Sequence, residues 1–255
     1  MIILKSKREI EIMREGGSIL YNILSDLLKE VKEGVESSYL NILAEELMEN
    51  YNAKPAFKGY RGYPYSICVS INDEVIHGFP IKEKVFKEGD VVSIDIGIIY
   101  KGYYTDMAYS VPVGEVDDEK RKLLETGEKI LFQGISEATI GNRIGNISNT
   151  IETNALKNGY SVVKEFIGHG VGKKLHEEPE VPNFGSKDNG PILKEGMVIA
   201  IEPMICMGKG DVYVANDGWT VKTKDGNISV HFEHTVVITN NGPSILTLPG
   251  KQNER

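Results

Sequence analysis

The sequence predicts an α+β fold in which helices cover a largely antiparallel sheet. Three observations support this class: helical periodicity opens the chain, β-branched and aromatic runs begin near residue 67, and helices followed by strands then occur a second time. Separate runs of helices and strands are typical of α+β domains, whereas strict alternation favours a parallel sheet. With 255 residues and no linker or low-complexity segment, we expect one domain over residues 1-255.

The helices are predicted from apolar residues that recur every three or four positions. The first carries such a face from Ile10 to Val31 and is expected to break at Gly34. Ser37 or Ser38 can cap the second helix, because a serine hydroxyl accepts a hydrogen bond from a first-turn amide. Two later helices are predicted over about 117–135 and 144–156.

The strands are predicted from runs rich in β-branched and aromatic residues. These runs cover 67–71, 91–99, 103–113, 197–205, 212–214, 229–239 and 244–248. Turn dipeptides separate segments in the last third of the chain, at Asn189-Gly190, Asp225-Gly226 and Asn241-Gly242.

Composition narrows the function classes. A formal net charge of −8 argues against a protein whose main role is to bind the phosphate backbone of nucleic acids. The two cysteines, Cys68 and Cys206, are too few and too far apart for a disulfide framework or a zinc knuckle. No stretch approaches the roughly 20 apolar residues of a membrane span, and no apolar run of signal length opens the chain. We therefore expect a cytoplasmic protein that binds neither nucleic acid nor membrane.

Two aspartates interrupt an apolar pair of strands. Asp95 lies in Ser-Ile-Asp-Ile-Gly and Asp106 follows a plausible hairpin turn. A turn at Tyr100-Lys101 would place Asp95 opposite Asp106, and a turn at Lys101-Gly102 would place it opposite Ala108. Either register puts both carboxylates on one face, about 5–8 Å apart. An exposed strand end would be the ordinary explanation for one such residue, but the apolar flanks favour a cation shared between the two.

Three further polar residues stand out in the second half. His169 lies between two glycines, which let backbone or a ligand approach closely. Glu202 and Glu233 each interrupt an apolar strand. Taken singly, the histidine would be expected in an exposed turn and each glutamate on a polar strand face. Taken with the two aspartates, they predict one shared site.

The donor set of this site indicates metal-dependent hydrolysis. Its four carboxylates carry a charge of −4, which two divalent cations would neutralise. Oxygen-rich ligation with one imidazole suits Mn, Fe, Co or Zn in an open site rather than a closed structural zinc. Two such ions can activate a bridging water and polarise a carbonyl, which is the machinery of amide hydrolysis.

The same residues fall in motifs that resemble those of the methionine aminopeptidases. From about residue 4 to 248 the chain resembles the bacterial type I form. The matching stretches are Ser-Ile-Asp-Ile-Gly at 93–97, Thr-Asp at 105–106, Gly-His-Gly-Val-Gly at 168–172, His-Glu-Glu-Pro at 176–179, Ile-Glu-Pro-Met at 201–204 and Phe-Glu-His-Thr at 232–235. The resemblance implies the pita-bread fold, in which two related α+β halves surround an antiparallel sheet with pseudo-twofold symmetry and form a catalytic metallopeptidase domain.

The resemblance also implies how the metal ligands are divided. Asp95, Asp106 and Glu233 are expected to contact or bridge two divalent ions, while His169 and Glu202 complete the shell of one. A hydroxide between the ions attacks the first carbonyl in this family. The initiator methionine is released when the second residue is small, because that side chain must fit beside the metals.

Further roles are implied for residues around the metals. His77 is expected to hydrogen-bond the scissile amide, His176 to contact the substrate carbonyl and stabilise the oxyanion, and Glu202 to shuttle a proton. Without the resemblance, either histidine would more simply be a surface or loop residue.

The methionine pocket is expected from matched positions with aromatic or polarizable surfaces, which suit a thioether: Tyr60, Tyr63, Cys68 and Trp219. Core packing is the alternative explanation for the tyrosines and the tryptophan. The chain departs from the usual pattern at three positions, where the family carries a small thiol, a histidine and a phenylalanine: Phe57, Arg61 and Leu175.

The expected partners are the N-termini of nascent polypeptides, met by a monomeric enzyme, with transient ribosome association left open. The basic stretch at 5–8 is interpreted as a solvated helix start rather than a docking patch. A non-catalytic binding module on the same fold is the main alternative function, and a proline-directed peptidase is another. Retention of all five ligands disfavours the first, and the pocket residues with the chain length disfavour the second.

Overall fold

The computed structural model describes residues 1–249. Its α-helices are Lys7–Lys29 (α1), Ser37–Asn50 (α2), Asp118–Ser136 (α3) and Ile144–Lys157 (α4), and a short 3-10 helix covers Tyr60–Gly62. Its strands are Lys54–Pro55 (β1), Ile67–Ile71 (β2), Glu74–Ile76 (β3), Val91–Tyr100 (β4), Tyr103–Pro112 (β5), Ser161–Val162 (β6), Gly168–Gly170 (β7), Glu177–Val181 (β8), Val198–Ile201 (β9), Met204–Cys206 (β10), Val212–Val214 (β11), Val221–Thr223 (β12), Ser229–His231 (β13), Glu233–Thr239 (β14) and Gly242–Ile245 (β15).

Helix α1 is shorter than its apolar pattern predicts. It begins at a capping box, in which the side chains of Ser6 and Glu9 each bond the other residue's backbone amide. It ends at Lys29, before the predicted break at Gly34. The apolar pattern extends beyond the helix because Val31 lies in the turn that follows it and packs in the same hydrophobic cluster as the buried face of α1.

Helix α2 begins at Ser37, with Glu36 as its N-terminal cap residue. The prediction that Ser37 or Ser38 caps this helix was wrong, since no side chain caps it. The Ser37 hydroxyl instead donates to the Ile81 carbonyl at 2.9 Å and accepts from the Ile81 amide at 3.0 Å. The Ser37 hydroxyl is therefore used in a tertiary contact and is not available to cap the helix.

The main sheet is antiparallel throughout and contains nine strands. Its order is β1-β4-β5-β14-β9-β7-β8, with β2 beside β4 and β15 beside β14. In the β4–β5 hairpin Asp95 pairs with Ala108 and Gly97 with Asp106. This is the second of the two predicted registers, and it places both aspartates on one face of the sheet. The predicted antiparallel α+β class is confirmed.

Two segments predicted as continuous strands are broken. The segment over 197–205 splits at Glu202 and Pro203 into β9 and β10, and the segment over 229–239 splits at Phe232 into β13 and β14. At each break the chain passes between the main sheet and a three-stranded sheet of order β13-β10-β6. Proline has no amide hydrogen for a ladder, which helps to end β9 beside Glu202. Both breaks adjoin a predicted acidic ligand.

Two helix pairs cover two separate hydrophobic clusters. One cluster lies under α1 and α2 and includes Ile94 and Ile96 of β4. The other includes residues of α3 and α4 together with Ile199 of β9 and Val236 of β14. Because successive strand residues point to opposite faces, the alternate positions of these strands face away from the helices. No helix within residues 1–249 is long and apolar enough to cross a membrane.

Candidate metal centre

Neighbouring strands of the main sheet bring the five predicted ligands together. Asp95 comes from β4, Asp106 from β5, Glu233 from the start of β14, His169 from β7, and Glu202 from the position just after β9. These strands are adjacent in the sheet order β4-β5-β14-β9-β7. All five side chains line one cavity of about 230 Å³. The two halves of the chain therefore build a single site.

The ligand atoms are close enough for one cation to touch several of them. One ligand atom each from Asp106, His169 and Glu233 lies within 4.8 Å of the other two. The Nε2 atom of His169 is 3.5 Å from Oε1 of Glu202 and 4.0 Å from Oδ2 of Asp106. These four residues are at most 9% exposed, so water contributes little to their solvation.

Burial dominates the electrostatics of the carboxylates. It raises the pKa of Asp106 from 3.8 to about 7. Burial, followed by the neighbouring carboxylates, also raises the pKa values of Asp95, Glu202 and Glu233 well above their usual range. Four like charges gathered away from water favour protonation unless a cation lies among them.

The unpaired atoms of the site fit divalent cations. Oδ1 of Asp95 and Oε1 of Glu233 are buried without a hydrogen-bond partner in the described part of the chain. Arg61 is the only lysine or arginine that the structure places in the cavity wall. Buried charge is normally paired or bound to metal, so the carboxylate oxygens and the imidazole suit one or more divalent ions.

The surroundings of His169 set its tautomer and its protonation. A Cβ atom on Gly168 would lie 2.4 Å from the Ala200 carbonyl oxygen, so only glycine fits there without a shift. The Nδ1 atom of His169 lies 2.9 Å from the Gly170 carbonyl oxygen, which can only accept a hydrogen bond. The proton therefore sits on Nδ1, and Nε2 presents its lone pair to the carboxylates. Burial lowers the pKa of His169 to about 4, which keeps the ring neutral. The expectation of an exposed turn for a lone histidine does not hold.

Two further histidines line the same cavity. His176 stacks on Tyr60 with ring centroids 5.2 Å apart, and its Nδ1 lies 2.9 Å from the Tyr60 hydroxyl. His77 has a left-handed backbone at φ 58° and packs edge-on against Phe166 and Trp219. Burial lowers the pKa of His77 to about 4 and that of His176 to about 3. Both rings are therefore neutral near pH 7.

The residues predicted to form a methionine pocket line this cavity and also pack together in one hydrophobic cluster. Tyr63 contacts Trp219 edge-on with centroids 5.1 Å apart, and the Tyr63 hydroxyl donates to backbone carbonyls. The cavity wall includes all four predicted pocket residues and the three departures from the family pattern, namely Tyr60, Tyr63, Cys68, Trp219, Phe57, Arg61 and Leu175.

The structure adds residues that the sequence interpretation missed. His231 is 2% exposed, its Nε2 lies 3.7 Å from Oε2 of Glu202, and neither ring nitrogen has a hydrogen-bond partner among residues 1–249. Thr235 is buried between β14 and β5, where its hydroxyl accepts from the Asp106 amide at 3.0 Å and donates to the Asp106 carbonyl at 2.8 Å. Alternation along β14 could have found Thr235, which stands two residues after Glu233. His231 ends β13, on the other side of the break at Phe232, so alternation along one strand does not reach it.

Comparison with known proteins decides the family. The model of metallopeptidase family M24 matches residues 11–240 of the chain. The chain belongs to metallopeptidase family M24. Methionine aminopeptidase of Clostridium acetobutylicum is 48% identical to this M24 chain, over 97% of the chain and 99% of that relative.

Solved structures agree with this assignment. The crystal structure of methionine aminopeptidase from Thermotoga maritima matches with a TM-score of 0.96 and 43% identity, covering 97% of this chain and 99% of that one. Prolidase from Pyrococcus furiosus matches with a TM-score of 0.78 and 27% identity, covering 96% of this chain and 65% of that one. The M24 chain thus has the pita-bread fold, is a member of the methionine aminopeptidase family, and is a hydrolase of the aminopeptidase class.

Proposed function

We propose that this M24 enzyme removes the N-terminal methionine from polypeptides whose second residue is small. The observation that carries the proposal is a cluster of four carboxylates, three buried and one half-buried, with one neutral imidazole in the wall of an aromatic cavity. Relatives named methionine aminopeptidase, 48% and 47% identical over 97% of the chain, support the same reaction.

Two divalent ions complete the proposed site. Asp95, Asp106 and Glu233 would hold or bridge both ions, and His169 with Glu202 would complete the shell of one. Mn, Fe, Co and Zn suit this set of carboxylate oxygens and one imidazole. When bound, such ions supply an activated water and polarise the scissile carbonyl.

The remaining polar side chains act on the peptide bond. When the Tyr60 hydroxyl donates to Nδ1 of His176, at 2.9 Å, Nε2 carries the ring proton. That N–H then donates to the substrate carbonyl oxygen and stabilises the developing oxyanion. His77 hydrogen-bonds the scissile amide, and Glu202 passes a proton from the attacking water to the leaving amine.

The pocket sets the expected substrate. Tyr63, Cys68 and Trp219 offer aromatic and thiol surfaces that suit a thioether side chain. The cavity has a volume of about 230 Å³. Once the methionine side chain of a substrate occupies it, only a small second side chain would fit. The proposed substrates are nascent polypeptides in the cytoplasm, processed by a monomer that acts as a single catalytic domain.

The proposal is tested by release of free methionine from Met-Ala-Ser and Met-Leu-Ser. Metal-stripped protein is assayed with and without added Co²⁺ or Mn²⁺. Metal-dependent release from Met-Ala-Ser alone is expected. Equal release from both peptides would contradict the size rule, and release by chelated protein would contradict the metal requirement. Folded protein that releases nothing with either ion would favour a binding module, whereas cleavage confined to a Leu-Pro-Ser peptide would favour a proline-directed peptidase.

A further inference from the structure

The mouth of the cavity carries one positive side chain. Arg61 and His176 are the exposed residues of the cavity wall, while its other members are buried or half-buried. The Arg61 guanidinium lies 5.5 Å from the ring centroid of Tyr60, which in turn stacks on His176. The positive charge of Arg61 therefore lies at the rim of the cavity, near the His176 ring that is proposed to contact the substrate carbonyl.

This charge is not neutralised by the protein. No carboxylate within residues 1–249 forms an ion pair or a hydrogen bond with Arg61, although neighbouring Lys58 pairs with Glu45 at 2.8 Å. Within the cavity wall the acidic groups are the four carboxylates of the proposed metal site, which the metal ions would neutralise. An unpaired, weakly hydrated guanidinium with planar donors is well suited to a carboxylate from outside.

The backbone at this residue is unusual for a side chain of its size. Arg61 adopts a left-handed conformation with φ 50° and ψ 20°, between Gly59 at φ 84° and Gly62 at φ 92°. A non-glycine residue is strained in this conformation, because its Cβ crowds the following carbonyl oxygen. Such strain is kept mainly where a side chain must be presented at a functional position.

We propose that Arg61 reads the charge of the third residue of the substrate and favours aspartate or glutamate over lysine or arginine there. The inference rests on the proposed function, because that function places the first residue inside the cavity and the second beside the carboxylate cluster. Consecutive Cα atoms are about 3.8 Å apart, so the third residue is the first to leave the cavity at its exposed rim. An acidic side chain there can reach the guanidinium, and a basic one is repelled by it.

The test compares C-terminally amidated Met-Ala-Asp-Ser and Met-Ala-Lys-Ser. The ratio of their kcat/KM values is measured for the unsubstituted protein and for Arg61→Gln, Arg61→Lys and Lys157→Gln, in low and high salt. Binding of both peptides to metal-free protein is followed by fluorescence of Trp219, the only tryptophan, which lines the cavity. Lys157→Gln removes an equal charge from an exposed position at the end of α4.

We expect the Asp-to-Lys ratio to fall about two- to fivefold in Arg61→Gln, as for one exposed ion pair. It should be kept in Arg61→Lys and Lys157→Gln, and it should shrink in high salt. An unchanged ratio in Arg61→Gln, in both turnover and binding, would overturn the assignment. If no variant releases methionine but binding still loses its preference for the Asp peptide in Arg61→Gln, the proposed function fails and the role of Arg61 stands.

Discussion

Replacing Asp106 by asparagine should stabilise the metal-free protein while abolishing its response to metal. Asparagine has nearly the same shape and keeps a side-chain oxygen that can accept from the Met107 amide, as Asp106 does at 3.1 Å. It removes one charge from the buried cluster, and Asp106 is among the causes that raise the pKa values of Asp95, Glu202 and Glu233. The substitution therefore relieves repulsion without opening a cavity.

The magnitude follows from the pKa of Asp106. A folded-state value of about 7, against 3.8 for the ordinary group, costs about 4 kcal/mol of folding stability above pH 7, at about 1.4 kcal/mol per tenfold change in the proton equilibrium. Because the folded-state pKa lies above the unfolded one, this cost is absent below about pH 4, grows between about pH 4 and pH 7, and is fully present above about pH 7. At pH 8 the gain of Asp106→Asn should raise Tm by roughly 10 °C for a chain of this size.

Thermal unfolding of chelated protein at pH 4, 6 and 8 measures this gain. The difference between variant and unsubstituted protein is the readout, so that terms common to both, including the histidines, cancel. Asp188→Asn, at an exposed position, is the matched control and should change stability by less than about 0.5 kcal/mol. A metal-free Asp106→Asn protein that is less stable than the unsubstituted protein at pH 8 would refute the reasoning.

Three other substitutions have defined outcomes. Gly170→Ala should cost roughly 2–4 kcal/mol in denaturant unfolding, because its Cβ would lie 2.2 Å from a backbone carbonyl oxygen; an unchanged midpoint would show that β7 can shift freely. His231→Leu should lower kcat about tenfold in steady-state kinetics, because it removes the ring that lies 3.7 Å from Glu202. The same substitution should leave Tm unchanged or higher, because it removes two buried ring nitrogens that have no hydrogen-bond partner. Full activity of this variant would assign His231 to packing alone. Tyr60→Phe removes the 2.9 Å contact with Nδ1 of His176 and should lower kcat about tenfold with little change in KM; a change confined to KM would place Tyr60 in binding only.

Much of the fold follows from local sequence pattern. Strand β2 occupies the predicted residues, and β4 and β5 match their predictions to within one residue at each end. Because side chains alternate between the two faces of a strand, either predicted turn position places Asp95 and Asp106 on the same face of the hairpin. Periodicity succeeded here because both strands bury one continuous apolar face in a single sheet.

The incorrect predictions occur where contacts with distant parts of the chain override the local sequence pattern. The apolar runs around Glu202 and Phe232 continue through points at which the backbone changes sheets, so periodicity does not show the breaks. Lys5, expected to be solvated, is 7% exposed and pairs at 2.9 Å with Glu177, a residue 172 positions away. His231 could not be placed from strand alternation, because it ends β13 and the break at Phe232 separates it from Glu233 at the start of β14.

The most direct test of the account is to count the metal ions that accompany activity. Metal-stripped protein is titrated with Mn²⁺ or Co²⁺, and native mass spectrometry records bound ions per chain while methionine release from Met-Ala-Ser is assayed in parallel. Two ions per chain at saturation, lost together with activity in Asp106→Asn, is the expected result. Full activity with no bound ion, or unchanged binding in that variant, would contradict the assignment of the carboxylate cluster as a dinuclear centre.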